Sequence, residues 1–177
     1  MGCTNSRRIG NTLILHPQFK SIENTVIPLT DEQIKIVRET WEILEPTKKE
    51  IGVNVYIRFL KMNPDIKSRF TEFKEISIDE INKSNGHPRR LMAAIENSIG
   101  SLDDPETFAG YVLELGRRHI RLRSKPTKSH FIDLRKAFIG SIKEPLTTNW
   151  RPEVEESWVL LFDFMTAVMM KGLSSTS

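Results

Sequence analysis

From Leu29 to Leu173 the apolar residues of this 177-residue chain recur every three or four positions, and helix signals open and close the runs. That period puts them on one face of a helix and does not suit a strand, whose faces alternate with every residue. Thr30 and Gln33 form a capping box, with Leu29 and Ile34 as its hydrophobic staple. Ile34, Val37, Trp41 and Leu44 then share a face. Thr47 and Glu50 repeat the box after Pro46 and predict a helix to about Met62. Asn63-Pro64 predicts an N-cap and the first turn of a short helix to about Ser68. Beyond a polar stretch at 74–86, Leu91, Ile95 and Ile99 carry the next helix, and Asp104-Pro105 opens one that runs through Val112, Leu115 and His119. Lys125-Pro126 precedes a helix with Phe131, Leu134 and Phe138 that Pro145 stops; Pro152 starts a last one, through Trp158 and Met165 to Gly172. No segment shows period-two alternation between turn signals. The expected fold class is all-α, with one folded domain at 29–173, a flexible tail at 1–28 and a disordered C-terminus at 174–177.

Charge narrows the partners. Residues 1–22 hold Arg7, Arg8 and Lys20 and no acid, and the rest of the chain balances 23 basic against 23 acidic residues. The pI of 9.0 therefore reports a basic tail, and no nucleic-acid partner is expected. No stretch approaches 18 uninterrupted apolar residues, so no transmembrane helix is expected, and no apolar h-region marks a secretory signal. The single cysteine, Cys3, leaves no internal disulfide and no Cys-based zinc site. Calcium-sensor and GTPase loops are also missing: there is no Asp-x-Asp-x-Asn-Gly and no Gly-x-x-x-x-Gly-Lys-Ser/Thr.

Of the four histidines, His87 and His119 each lie 16 residues from Asp103, on opposite sides. Two antiparallel helices folded there return the chain level with itself, so both imidazoles meet at the open end of a helical hairpin. A helix histidine is most often just solvated or hydrogen-bonded. Two facing imidazoles are also nitrogen ligands for a transition metal. They do not complete a zinc site, but they suit a haem, which supplies four equatorial nitrogens itself.

The flanking residues resemble the globin family across Leu29–Leu173. The similarity begins at Trp41 and continues through Pro64-Asp65 to Phe70 and Phe73. His87-Pro-Arg-Arg-Leu-Met looks like the distal histidine and the start of its helix, and Leu115-Gly-Arg-Arg-His119 like the proximal segment. Trp158, Phe162 and Met165 fit the long final helix. Within globins the chain is most similar to globin X and the neuroglobin-like branch. The resemblance implies a globin fold of about seven to eight helices around haem b (iron protoporphyrin IX). His119 is then the proximal iron ligand and His87 the distal one. Phe70, Phe73, Arg90, Leu91, Leu115, Leu122, Phe131 and Leu134 are implied as cofactor-binding residues. Leu134 and Met165 serve equally well as ordinary core, and Arg117 and Arg123 as a solvated charged face. Pro88 departs from the usual arrangement: it disfavours helix at the residue before it, so the regular helix is expected to begin near Pro88, with His87 at its edge.

Met1-Gly2-Cys3-Thr4-Asn5-Ser6 fits the N-myristoylation pattern at Gly2, with Cys3 placed for palmitoylation. Globin X proteins begin similarly. The expected partners are oxygen, carbon monoxide, nitric oxide or nitrite as ligands, and a membrane surface; the cellular reductant stays open. The expected location is the cytoplasmic face of the plasma membrane. Redox work as a nitrite reductase or with peroxidase-like activity, or a signalling role, stands beside oxygen carriage or storage, and a haem-less globin-fold interaction module is the rival of another class.

Overall fold

The computed structural model describes residues 26–84, 86–122 and 125–175. Among them all regular structure is helical: α1 (Asp31–Leu44), α2 (Lys48–Met62), α3 (Gly86–Gly100), α4 (Pro105–Arg118), α5 (Lys128–Leu146) and α6 (Pro152–Ser174). The short helix expected after Asn63 winds as a 3-10 turn, Pro64–Arg69, and further 3-10 turns lie at Glu45–Thr47, Ile78–Glu80 and Thr147–Asn149.

The cap at Thr30 forms in both directions. Its hydroxyl accepts from Gln33 N at 3.2 Å, and Gln33 Oε1 accepts from Thr30 N at 3.0 Å. Asp104 likewise caps α4 by accepting from Thr107 N at 3.0 Å. Two other expected caps do not form. Pro46 leads a 3-10 turn into α2, and the Thr47 hydroxyl donates back to Leu44 O at 3.3 Å. Asn63 donates its side-chain amide to Phe59 O at 3.2 Å, closing α2 rather than opening the next turn. Pro145 does not stop α5, which ends one residue later where Thr147 turns the chain at φ 43°. Ile27 is already buried, ahead of the expected domain start.

The core centres on α6. Trp158, fully buried, packs on Trp41 of α1 and Phe138 of α5 at ring distances of 6.4 and 5.2 Å. Its indole N–H donates to the buried Thr40 hydroxyl at 3.0 Å, which leaves no polar atom of the pair unmet. By length and composition α6 is apolar enough to cross a membrane, which the sequence reading did not anticipate. Trp158, Leu161, Phe162 and Val168 are nevertheless buried against the other helices, so α6 is a core helix here.

Two crossings bring helix backbones together and set the site. At Gly52 of α2 an added Cβ would meet Pro88 O of α3 at 2.9 Å. At Gly116 of α4 it would meet Met169 O of α6 at 2.1 Å, and at Gly172 of α6 it would meet Leu113 O at 2.2 Å. Only residues without a side chain let these helices approach so closely.

Candidate functional site

α3 begins at Gly86, two residues ahead of the start expected at Pro88, so His87 lies within its first turn, where a proline at the next position is tolerated. Its surroundings are built by Glu72, from the polar stretch before the helix. One Glu72 oxygen accepts from His87 N at 2.7 Å and the other from Gly86 N, so the carboxylate closes the start of α3. A negative charge there also opposes the positive end of the helix dipole. The same carboxylate meets His87 Nδ1, and Arg90 Nη2 lies 2.7 Å from that nitrogen and 3.3 Å from Glu72. One ring nitrogen cannot both donate to a carboxylate and accept from a guanidinium. We assign the proton to Nδ1, donating to Glu72, because that oxygen already holds the His87 backbone. Burial pushes the His87 imidazole below its usual pKa; the Arg90 and His119 charges add to this, against the pull of Glu72. The ring is therefore neutral near pH 7, with the Nε2 lone pair free. Burial would raise the Glu72 carboxyl, but its hydrogen bonds from the His87 ring and from the two backbone N–H groups hold it below the usual range.

Beside the ring stand aromatic side chains. Phe70, placed by the turn Pro64–Arg69, meets His87 edge-on at 4.8 Å. Tyr56 of α2 contacts Phe70, Phe73 and His87 at 5.8, 5.6 and 6.1 Å. Burial raises the Tyr56 phenol far above its usual pKa, so it stays a neutral donor.

His119 caps the C-terminal end of α4. Its Nδ1 donates to Leu115 O at 2.7 Å, one turn back, which leaves Nε2 as the free lone pair. Phe70, Leu91, Leu115 and Leu134 are half-buried, Phe131 is buried, and Phe73 is fully buried beneath Tyr56 and Phe70. Arg90 is exposed and engaged with Glu72, and Leu122 stands 47% exposed on the loop after α4. Gly2, Cys3, Asn85 and Arg123 lie outside the described residues.

Sequence reasoning missed Glu72 and Tyr56. Glu72 sits in a polar stretch without periodicity, and Tyr56 reads as one more residue of α2's buried face. No cap motif links Glu72 to a helix that starts 14 residues later; only the fold does.

This donor set fits a haem. Among the described residues no three His, Cys, Asp or Glu side chains come together as a metal site. Two imidazoles that each spend Nδ1 on a protein acceptor, with half-buried apolar neighbours, suit a ligand that brings four nitrogens of its own and a broad apolar face.

Comparison with known proteins agrees. The family model described as Globin matches residues 53–169. Cytoglobin-2 of Danio rerio is 30% identical over 135 residues, which span 74% of this chain and 75% of that protein. An anaerobic nitrite reductase of Solanum lycopersicum is 22% identical over 145 residues, 79% of this chain and 92% of that one. In structure, a hexacoordinated haem protein from an anhydrobiotic tardigrade superposes with a TM-score of 0.76 at 15% identity, covering 84% of this chain and 97% of that one. The chain belongs to the globin family, and its cofactor is haem.

Proposed function

We propose that this globin binds oxygen and other diatomic gases, that His87 and His119 both ligate the iron when no gas is bound, and that acylation of Gly2 and Cys3 holds the chain on the cytoplasmic face of the plasma membrane. One observation carries the ligand reading. Each histidine spends Nδ1 on a protein acceptor, Leu115 O or Glu72, which leaves Nε2 of both rings for iron. Bound haem supplies an iron atom whose sixth position takes a diatomic gas. The chain's residues do the rest: His119 anchors from α4, Phe70 and Leu115 exclude water, and His87 competes with the gas for the sixth position. Gas affinity then scales with the fraction of protein in which His87 is off the iron. The helix edge favours such exchange, because the His87 N–H lies in the first turn, outside the regular ladder, and is held by Glu72 instead.

The deoxy ferrous absorption spectrum tests this. A six-coordinate low-spin wild type that turns five-coordinate in His87→Leu supports the reading; a five-coordinate wild type refutes it. Loss of haem from His119→Ala checks the proximal role.

A second reading, nitrite reduction, draws on the similarity to the tomato protein of that name. Anaerobic mixing of the ferrous protein with nitrite, followed by the appearance of the nitrosyl spectrum, separates it from simple gas binding.

A further inference from the structure

The segment around and after His119 carries a concentration of positive charge. The twelve residues from Arg117 to Lys128 hold six cations and no acid. Apart from these and the three cations of the tail, the chain has 17 basic and 23 acidic residues. The end of α4 and the loop into α5 are thus a basic corner on an otherwise acidic body.

Among the described residues the corner is hardly neutralised. Arg118 pairs with Glu114 at 3.4 Å, while Arg117, Arg121, Lys125 and Lys128 make no ion pair. The next acid along the chain, Asp133, is engaged by Lys136 at 3.2 Å. Arg121, Lys125 and Lys128 are exposed, and Leu122 stands among them with 47% of its surface open. An exposed leucine beside Arg121 in the chain, with further unpaired cations three and six residues on, is the chemistry of a surface that meets anionic headgroups: the cations are drawn to the negative leaflet and the leucine enters its boundary.

We propose that this corner is a docking surface for an anionic lipid bilayer, with Arg121, Lys125 and Lys128 on headgroups and Leu122 at the acyl boundary. It adds a second contact to the membrane reading above and stands without acylation. Contact here turns the α4 end, with His119, toward the bilayer.

The experiment uses the full chain with haem bound, in a Gly2→Ala background so that no acyl chain contributes. Arg7, Arg8 and Lys20 are also changed to Gln, which silences the tail. Co-sedimentation is measured with vesicles of phosphatidylcholine alone and of phosphatidylcholine with about one-third phosphatidylserine. Binding is expected only to the anionic vesicles. Replacing Arg121, Lys125 and Lys128 by Gln should weaken it about 100-fold, roughly fivefold per cation. Leu122→Ser should remove the part that persists at high salt. An unchanged urea midpoint shows that each variant is folded. Equal binding to both vesicle types, or wild-type binding by the triple variant, overturns the proposal. So does an absence of vesicle binding together with capture by polyglutamate, which would assign the corner to an acidic protein. Acylation can fail independently, since no arm of this test contains it.

Discussion

Glu72 holds the first two N–H groups of α3 and the His87 ring with one carboxylate. Replacing it with Gln keeps the shape and removes the charge. The helix start loses a charge-assisted cap, worth about 1–2 kcal/mol in urea unfolding. The second effect falls on iron. A carboxylate on Nδ1 makes the opposite nitrogen a better ligand, so Glu72→Gln should weaken His87 ligation, enlarge the five-coordinate fraction and speed carbon monoxide recombination after flash photolysis. Unchanged recombination would confine Glu72 to capping. Both histidines were legible in the sequence from spacing and flanking motif. Glu72 was not, because a carboxylate that acts across a loop leaves no periodic trace.

At the scale of elements, local signals read well where a cap and its helix are contiguous and nothing competes. Thr30 and Asp104 are such places. Thr47 and Asn63 failed because each side chain found a carbonyl behind it, in the helix just ended. Helix existence was thus clearer than helix ends. Invisible in the sequence were the crossings, since a glycine in a helix looks like a defect until its neighbour is known. Gly172→Ala must push α6 away from Leu113 O, and a cost of about 1–3 kcal/mol is expected. Because Gly116, on the facing side, lies three residues before His119, the variant should also release haem faster to an excess of apoprotein acceptor. Gly100→Ala is the control. Its Cβ meets nothing within 4 Å, so stability should hold or rise by up to about 1 kcal/mol. Equal losses in the two variants would deny the crossing any special role.

For the whole molecule, the charge is divided between a basic N-terminal stretch, a basic corner and an acidic body. Gly2→Ala in cells should move the protein from the membrane to the soluble fraction, and Cys3→Ser should weaken retention less, because one myristoyl chain binds only marginally. Fractionation of both variants like wild type would refute acylation.

The meeting of Gly116 and Gly172 also has a practical side. A fluorescent reporter fused after Ser177 is separated by five residues from Gly172, on the helix whose backbone touches the segment carrying His119. A load there bears on that crossing, so the spectrum of a fusion is to be compared with that of the untagged protein. A reporter in front of Gly2 would block the proposed acylation. Imaging this globin in cells therefore calls for an antibody, or for a small label at an exposed position of α1 such as Ile43.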